Sequence, residues 1–373
     1  MKSSAHHTDV VIVGGGNIGS AIACGIAEMG VPVTVIDEND VALRAARGNF
    51  GLVWYQGKGL GMPRYVQWCL EATQKWPAFA RTLEEKTGVL LSYAKPGGLV
   101  LCRGEEHFEQ RRRDIENLRQ QSPTGEYACE MINRPDVERL LPELKLGPNI
   151  VGASYSKHDG HVNPLFLIRA LRNAFIQDGG VYQPGAAACD IRYESSAYCV
   201  RTPAGSFRAP KLVLAAGVGI ARLAALLGMQ IPVRPQRGQL LVTERLRPVL
   251  PLPISGIRQT AEGCLMFGTS TEEVGFDTRV TIAVMRDIAR RAIEAFPVFA
   301  GVRVVRSWGA LRPLTPDKYP IYHESEDYPG AFVVSSHSGV SLAPLYATHI
   351  ARWIVDGVKP EGFENFSPRR FDV

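Results

Sequence analysis

Val10-Val11-Ile12-Val13-Gly14-Gly15-Gly16-Asn17-Ile18-Gly19 is the stretch that decides the fold. Four β-branched residues run directly into glycines, the pattern of a short buried strand that ends in a tight turn. Beyond the turn, Ile18, Ala21, Ile22, Gly25, Ile26 and Met29 fall on one face at helical spacing, and Gly30 closes the helix. Val33-Thr34-Val35-Ile36 reads as a second strand, closed by Asp37. A βαβ unit of about thirty residues requires its two strands to be parallel.

Within that unit Gly14-x-Gly16-x-x-Gly19 occupies the strand-to-helix junction. The first glycine makes the turn, the second lets a pyrophosphate approach the backbone, and the third lets helix and strand pack closely. The helix N-terminus offers free N–H groups and a positive dipole end to phosphate. Asp37 stands where a carboxylate accepts both ribose hydroxyls. Strand, helix and acid together predict dinucleotide binding; a glycine-rich turn without a ligand is the alternative. Spacing alone leaves NAD and FAD open. Glycine-rich segments recur far downstream, at 48–61, 217–219 and 339, which favours a long cofactor touched by scattered segments, hence FAD.

The rest of the composition sets limits. The chain has 373 residues, 45% hydrophobic and 21% charged, enough for about two domains with full cores. Lys+Arg 42 against Asp+Glu 37 leaves a net charge of +5, too small and dispersed for a nucleic-acid protein. No apolar run reaches the roughly 18 residues needed to span a membrane, and the leader has too short an apolar stretch for a signal peptide. The seven cysteines are odd in number, widely spaced and free of CxxC, which argues against a disulfide framework, an iron–sulfur cluster or a metal site in this chain. Most are expected to be reduced and buried in a cytoplasmic protein, free or peripheral to the inner membrane. His6 and His7 belong to the leader and carry no assigned role.

Along the chain, 47–61 reads as a loop against a ligand, 64–87 as a helix, 98–102 as a strand, and 105–121 as an exposed charged helix. The three arginines at 111–113 read as a solvated helix face. Asn163-Pro164 caps a helix over 164–178, and Lys211 to Gly217 is another buried strand ending in glycine. A helix over 279–295, a strand from Phe332 and a helix over 342–355 complete the pass. The βα units sit at both ends and in the middle. The expectation is therefore an α/β fold, a Rossmann-like cofactor domain (1–90, 148–222 and 308–373) interleaved with an α+β substrate domain on a mixed or antiparallel sheet (91–147 and 223–307).

Several stretches in fixed order resemble the family of FAD-dependent amino-acid and amine oxidoreductases that includes D-amino-acid oxidase, glycine oxidase and sarcosine oxidase. They are the fingerprint, Asp159-Gly160-His161-Val162-Asn163-Pro164, Leu214-Ala215-Ala216-Gly217, Pro235-Gln236-Arg237-Gly238-Gln239, Gly309 to Asp317, and His337-Ser338-Gly339-Val340-Ser341-Leu342. Within the family, 47–59 and 337–344 look most like the FAD-bearing β subunits of opine oxidases and D-hydroxyproline dehydrogenases. The resemblance implies a noncovalent FAD, since no cysteine matches the site of covalent attachment. It also implies a hetero-oligomer with a small iron–sulfur subunit and a second flavoprotein subunit, so that any cluster or FMN sits on partner chains. Residue by residue, Gly14, Gly16, Asn17, Ile18, Gly19, Asp37 and Glu38 match the adenosine-diphosphate site. Arg44, Ala46, Arg47 and Asn49 match the loop reaching the flavin, Ala188 the adenine contact, and Ala215 and Gly217 the strand end beside the cofactor. His337 and Ser338, Gly339, Val340, Ser341 and Leu342 match the turn against the flavin ring, whose amides can stabilise a reduced, anionic flavin.

Arg312 matches the arginine that holds substrate carboxylate. Guanidinium pairs with carboxylate through two parallel hydrogen bonds and stays protonated; the alternatives are a surface arginine or an ion pair with Asp317. The implied reaction passes a hydride from the carbon bearing the amine to flavin N5, and water hydrolyses the resulting imine. The substrate would be an amino acid or secondary amine, such as an opine, D-hydroxyproline or a proline-like compound. No side-chain base is obligatory if the amine binds neutral. His337 either tunes the flavin, orients substrate, or is satisfied by a backbone carbonyl. Arg258 and Gln259 either recognise a second polar group of a larger substrate or form a solvated strand edge. Trp54, Tyr55 and Trp308 either line an apolar pocket or pack in the core. A free-standing oxidase using oxygen, and a flavin-binding scaffold protein, remain as alternatives.

Overall fold

In the computed structural model, residues 5–39, 45–122 and 125–372 are described. The opening βαβ unit seeds a six-stranded sheet, ordered Ile321–Glu324, Ala331–Ser335, Lys211–Leu214, Val10–Val13, Val33–Ile36, Val181–Gln183. All neighbours are parallel except Ile321–Glu324, which pairs antiparallel with Ala331–Ser335. The uninterrupted apolar runs follow from burial on both faces. Val10, Ile12, Val33 and Val35 enter one core with the helices Asn17–Glu28 and Pro164–Gln177. Val11, Val13 and Ile36 enter a second core against the meander Asp190–Glu194, Ala197–Thr202 and Gly205–Ala209.

Helix Asn17–Glu28 is held down by close approach rather than bulk. A Cβ on Gly25 would fall 1.8 Å from the carbonyl oxygen of Ala347. That oxygen belongs to a π-helical stretch, Tyr346–Ile350, between Ala343–Leu345 and Ala351–Asp356. The continuous helix expected over 342–355 is thus a helix with a widened turn where it crosses its neighbour.

The second layer is antiparallel. Ile257–Gln259, Cys264–Gly268, Arg234–Arg245 and Val304–Leu314 form one sheet in that order, and Gly98–Arg103, Ile150–Ser156 and Glu130–Asn133 another. A bridge between Leu99 and Ile254 joins them. Their shared core includes Leu99, Ala153, Leu241, Phe267, Ile288 and Phe296. The fold is the expected mixed α/β one, with a parallel sheet carrying the fingerprint and antiparallel sheets beside it.

Two local readings change, and the cysteines stand as expected. His6–His7 forms a short strand parallel to Phe207–Arg208, so this part of the leader is tied to the meander. Of the three arginines at 111–113, only Arg112 and Arg113 pair with helix neighbours, Glu109 and Gln110. Arg111 turns inward to Ser154 and Gln56 (2.9 and 3.1 Å). Helix spacing explains the split, because three consecutive residues point in three directions about 100° apart. Four of the seven cysteines, Cys24, Cys69, Cys102 and Cys129, are buried, and all seven are free thiols.

Candidate active site

A cavity of about 1080 Å³ runs from the fingerprint to the antiparallel sheet. At its nucleotide end the three fingerprint glycines do separate jobs. Gly14 has φ +111°, and a Cβ there would fall 2.6 Å from the Ala215 carbonyl oxygen, so the turn and the adjoining strand end fit only without a side chain. A Cβ on Gly19 would stand 1.9 Å from the Gly14 oxygen. A Cβ on Gly16 would meet nothing nearer than Ala46 at 3.7 Å, so its backbone faces open cavity. Helix Asn17–Glu28 has no side-chain cap, which leaves its first N–H groups for a ligand. Asn17 Oδ1 is buried and has no hydrogen-bond partner among the described residues.

Asp37 is shared between protein and cavity. Its Oδ2 accepts from Gly15 N (2.6 Å) and its Oδ1 from Asn39 N (3.0 Å), and each oxygen keeps a lone pair for a hydroxyl. Open glycine and uncapped helix N–H groups suit a diphosphate. The cavity's continuation past the turn 337–341 leaves room for a second, planar half. A Cβ on Gly339 would touch Ile18 at 3.4 Å, so this turn lies against the helix N-terminus.

The opposite end is cationic. Arg312 lies in strand Val304–Leu314 and faces the cavity. Its Nη1 donates to the carbonyls of Ser270 (3.0 Å) and Arg237 (3.4 Å). Among the described residues no carboxylate lies within 4.0 Å of it. Asp317, one alternative partner, is taken by Arg370 (2.7 Å). Glu272, the acid acting most on Arg312, is taken by Arg237 (2.6 Å) and by Ser270 and Gln239. Burial lowers the pKa of Arg312, yet guanidinium stays charged at neutral pH. Room for the group comes from Gly238, where a Cβ would fall 2.1 Å from Arg312 Nη2.

His337 bares its ring to the cavity while protein encloses its other sides. Burial first, then the cations Arg312 and Lys58, push its pKa down to about 3, so the ring is neutral. Lys58 donates to Ser338 Oγ (2.9 Å) and Ser341 Oγ (3.2 Å), and burial lowers its pKa.

The sequence profile of the family described as "FAD dependent oxidoreductase" matches residues 9–353. The chain belongs to the FAD dependent oxidoreductase family. It is 37% identical to an opine oxidase subunit from Agrobacterium tumefaciens (strain Ach5) over 368 residues, covering 98% of each chain. It is 36% identical to the corresponding opine oxidase subunit from Rhizobium meliloti, covering 99% of each. The crystal structure of glycine oxidase from Geobacillus kaustophilus superposes with a TM-score of 0.90 at 27% identity, over 98% of this chain and 99% of that one. The cofactor is therefore FAD, in keeping with a cavity that presents a diphosphate cradle at one end and a cationic wall at the other.

Most residues singled out in the sequence meet at this cavity. Gly14, Gly16, Asn17, Ile18, Asp37 and Glu38 line one end. Ala46, Arg47, Asn49, Ala188, Ala215 and Gly217 line its flanks, and His337, Ser338, Gly339, Val340 and Ser341 form the turn beside Arg312. Arg44 lies outside the described residues. Gly19 and Leu342 support the wall from behind, Gly19 by packing on Gly14 and Leu342 in the core.

Three substrate candidates do not reach the cavity. Gln259 is spent on the 247–250 segment and its own hairpin turn: Oε1 accepts from Val249 and Leu250 N–H, and Nε2 donates to the carbonyls of Arg247 and Gly263. Arg258 is buried, bonds the Phe50 carbonyl through Nε, and stands against Gly51; its pKa falls to about 10 through burial. Trp308 donates to the Gly48 carbonyl (3.2 Å). Arg258 and Trp308 thus grip the loop 48–51 rather than face a substrate. Trp54 does line the cavity, whereas Tyr55 packs on Tyr127.

Behind Lys58 lies a buried polar network that sequence reasoning missed. Asp159, fully buried, accepts from the backbone of Tyr55 (2.5 Å) and from Gln56 Nε2 (2.7 Å). Gln56 Oε1 in turn accepts from Ser154 (2.6 Å) and Arg111 (3.1 Å). Burial raises the Asp159 pKa to about 6. Trp54 N donates to Ser341 Oγ (3.0 Å), Tyr65 bonds Ser338 (2.6 Å), and Trp76 donates to the Ser341 carbonyl (2.9 Å). The loop carrying Lys58 and the turn carrying His337 are therefore positioned as one unit. The glycine-rich composition of 47–61 and the resemblance of 47–59 pointed to this loop, but not to the network that holds it.

Proposed function

We propose that the chain oxidises the C–N bond of an amino acid or N-substituted amino acid whose carboxylate seats on Arg312. The observation that carries this reading is the guanidinium itself. It faces the cavity, spends one nitrogen on neutral carbonyls, and has no carboxylate within 4.0 Å among the described residues. A buried cation without a counter-ion is costly, and a substrate carboxylate supplies the missing charge through paired hydrogen bonds.

Bound FAD supplies the two-electron acceptor. The residues of this chain orient and neutralise. Arg312 fixes the carboxylate and hence the adjacent C–H bond. Neutral His337 adds no charge of its own beside a neutral amine. The carbon gives up its hydrogen with the bonding pair, the nitrogen gives up a proton, and water then cleaves the imine to an amine and a carbonyl compound. The two relatives are named as subunits of opine oxidase, which supports the further reading that this chain is the flavin-bearing component of a larger dehydrogenase. An iron–sulfur protein and a second flavoprotein are the partners proposed.

The test is anaerobic mixing of the purified yellow protein with amino acids, proline derivatives and N-carboxyalkyl amino acids. Bleaching of the flavin band by at least one of them is expected, with Arg312→Gln needing far more substrate. No bleaching by any of these compounds would overturn the reading.

A further inference from the structure

Lys58 is half-buried and reaches the cavity from the loop that follows strand Leu52–Val53. Its Nζ donates to Ser338 Oγ at 2.9 Å and to Ser341 Oγ at 3.2 Å. Both acceptors are neutral hydroxyls, and among the described residues no carboxylate lies within 4.0 Å of the ammonium. Ser341 cannot reverse its bond. Its own proton goes to the Leu52 carbonyl (3.4 Å), while its oxygen also accepts from Trp54 N (3.0 Å). Ser338 Oγ is shared with the Tyr65 hydroxyl (2.6 Å).

An ammonium carries three N–H groups, whereas an amine carries two and a lone pair. Two donors of Lys58 are matched by two hydroxyls, and the described residues offer no third acceptor. Loss of the third proton therefore breaks no hydrogen bond to them. Burial favours that loss, against the pull of Cys69 on helix Pro63–Thr87 and of Asp159. The groups around Lys58 hold their charges steady between about pH 7 and 10. Burial pushes the Cys69 thiol up to about 11 and the Tyr65 phenol well above its ordinary value. Asp159, at about 6, is already an anion and is spent on Tyr55 and Gln56. His337 stays neutral and Arg312 stays charged. The fields of Arg312 and Lys58 both reach the His337 ring, and Ser338, which Lys58 bonds, is the next residue in the chain.

We infer that Lys58 takes the proton from the substrate's ammonium group, so that the amine is neutral when its carbon is oxidised. This rests on the reading of the reaction given above. An amino acid arrives as a zwitterion, with its carboxylate on Arg312. An N–H bond of its ammonium breaks, and the proton passes to the lone pair of Lys58 Nζ. The substrate nitrogen keeps the bonding pair. That pair becomes the second C–N bond as the carbon's hydrogen leaves with its own two electrons, which bound FAD accepts. The product is a protonated imine, and Lys58 returns its proton to water.

The experiment is anaerobic stopped-flow reduction of the FAD-loaded protein from pH 7 to 10 by each amino acid that bleaches it. Native protein, Lys58→Met and Lys58→Arg are compared. Arginine keeps the charge and the donors but holds its proton throughout this range. In both variants the second-order rate constant of reduction is expected to fall roughly hundredfold or more at pH 7, the worth of a general base. It should recover as rising pH strips the proton from the free amino acid, so the native-to-variant ratio shrinks severalfold or more by pH 10. A ratio that is the same at every pH marks a structural lysine and overturns the inference, as does native-like reduction by Lys58→Arg. A second readout needs no turnover. (Methylthio)acetate, a thioether acid with no amine, does not titrate in this range. Its Kd, read from the shift of the flavin absorbance, should rise about three- to tenfold from pH 7 to 10 in the native protein as Lys58 loses its charge. It should stay flat in Lys58→Arg. A flat Kd in the native protein also overturns the inference. If no amino acid bleaches the flavin, the reading of the reaction fails and this inference falls with it. Bleaching with a pH-independent ratio sinks the Lys58 inference alone.

Discussion

Gly238 stands beside the Arg312 guanidinium so closely that a Cβ on it would lie 2.1 Å from Nη2. Strand pairing sets this up: Gly238 opposes Ala310 and Gln236 opposes Arg312 on adjacent strands. The backbone of Gly238 is not left-handed, so alanine is tolerated conformationally there, and the flexible guanidinium is what must move. Gly238→Ala is therefore expected to fold and to bind FAD. It should raise Kd for a carboxylate ligand by about tenfold, the worth of one charged hydrogen bond. Titration with (methylthio)acetate against an unchanged flavin spectrum is the measurement. An unaltered Kd would mean that Arg312 does not seat the carboxylate.

The fingerprint glycines separate folding from cofactor binding. Gly14→Ala forces a side chain at φ +111° into the Ala215 carbonyl, so the apoprotein itself should lose stability, by about 2 kcal/mol or more. Gly16→Ala meets only Ala46 at 3.7 Å and should leave apoprotein stability within about 0.5 kcal/mol, while its methyl group stands where a phosphate must approach. Thermal unfolding with and without FAD distinguishes the two. Equal loss of apoprotein stability in both variants would contradict this division.

Asp159 is the keystone of the loop that presents Lys58. In Asp159→Asn one oxygen can still accept from Tyr55 N, but the new amide nitrogen faces Gln56 Nε2, a donor against a donor. Gln56 cannot simply flip, because its Oε1 already accepts from Ser154 and Arg111. A loss of about 1–3 kcal/mol follows for the donor left unsatisfied. The variant should also bind FAD more weakly, since Lys58 and the 337–341 turn are fixed through this loop. Urea unfolding and FAD dissociation constants check both effects, and Asp159→Ala should be worse still.

How much of this could be read in the sequence depended on whether a residue's partner was near in the chain. Val10 to Asp37 was legible because strand, turn, helix and acid lie within one short unit, and local periodicity reports them. The strand Arg234–Arg245 was not, because Gln236, Arg237 and Gln239 are buried although polar, spent on Glu272 and Glu273 from a neighbouring segment, and the strand so loses its apolar alternation. Lys58 has no sequence signal of its own, since the serines that hold it are some 280 residues away. Arg258 and Gln259 were placed on the right strand, but their hydrogen-bond partners come from Phe50 and from the 247–250 segment, which no spacing reveals. Arg312 was legible only through resemblance. Its unpaired state became visible when Asp317 and Glu272 were found with other arginines.

The neutral state of His337 gives a signed pH dependence. Its folded pKa, about 3, lies below the ordinary histidine value of about 6.5. The unfolded chain therefore takes up a proton first as pH falls, and the native state loses stability between roughly pH 6.5 and 3. Above pH 6.5 the contribution is complete. His161, lowered to about 4 by burial and by Arg258, acts in the same sense. Asp159 opposes both, because its raised pKa of about 6 makes its contribution full below the ordinary value of 3.8 and lost as pH rises through 6. His337→Gln should flatten the acid side of the stability curve measured by urea unfolding from pH 7 to 4. Arg312→Gln should flatten it less, by removing only one of the causes that depress His337. In catalysis the same ring carries no proton to lose between pH 5 and 9. His337→Gln is then expected to change kcat/KM in size but not the position of any pH limb in that range. A limb near pH 6 present in the native enzyme and absent from His337→Gln would show that the ring titrates during turnover.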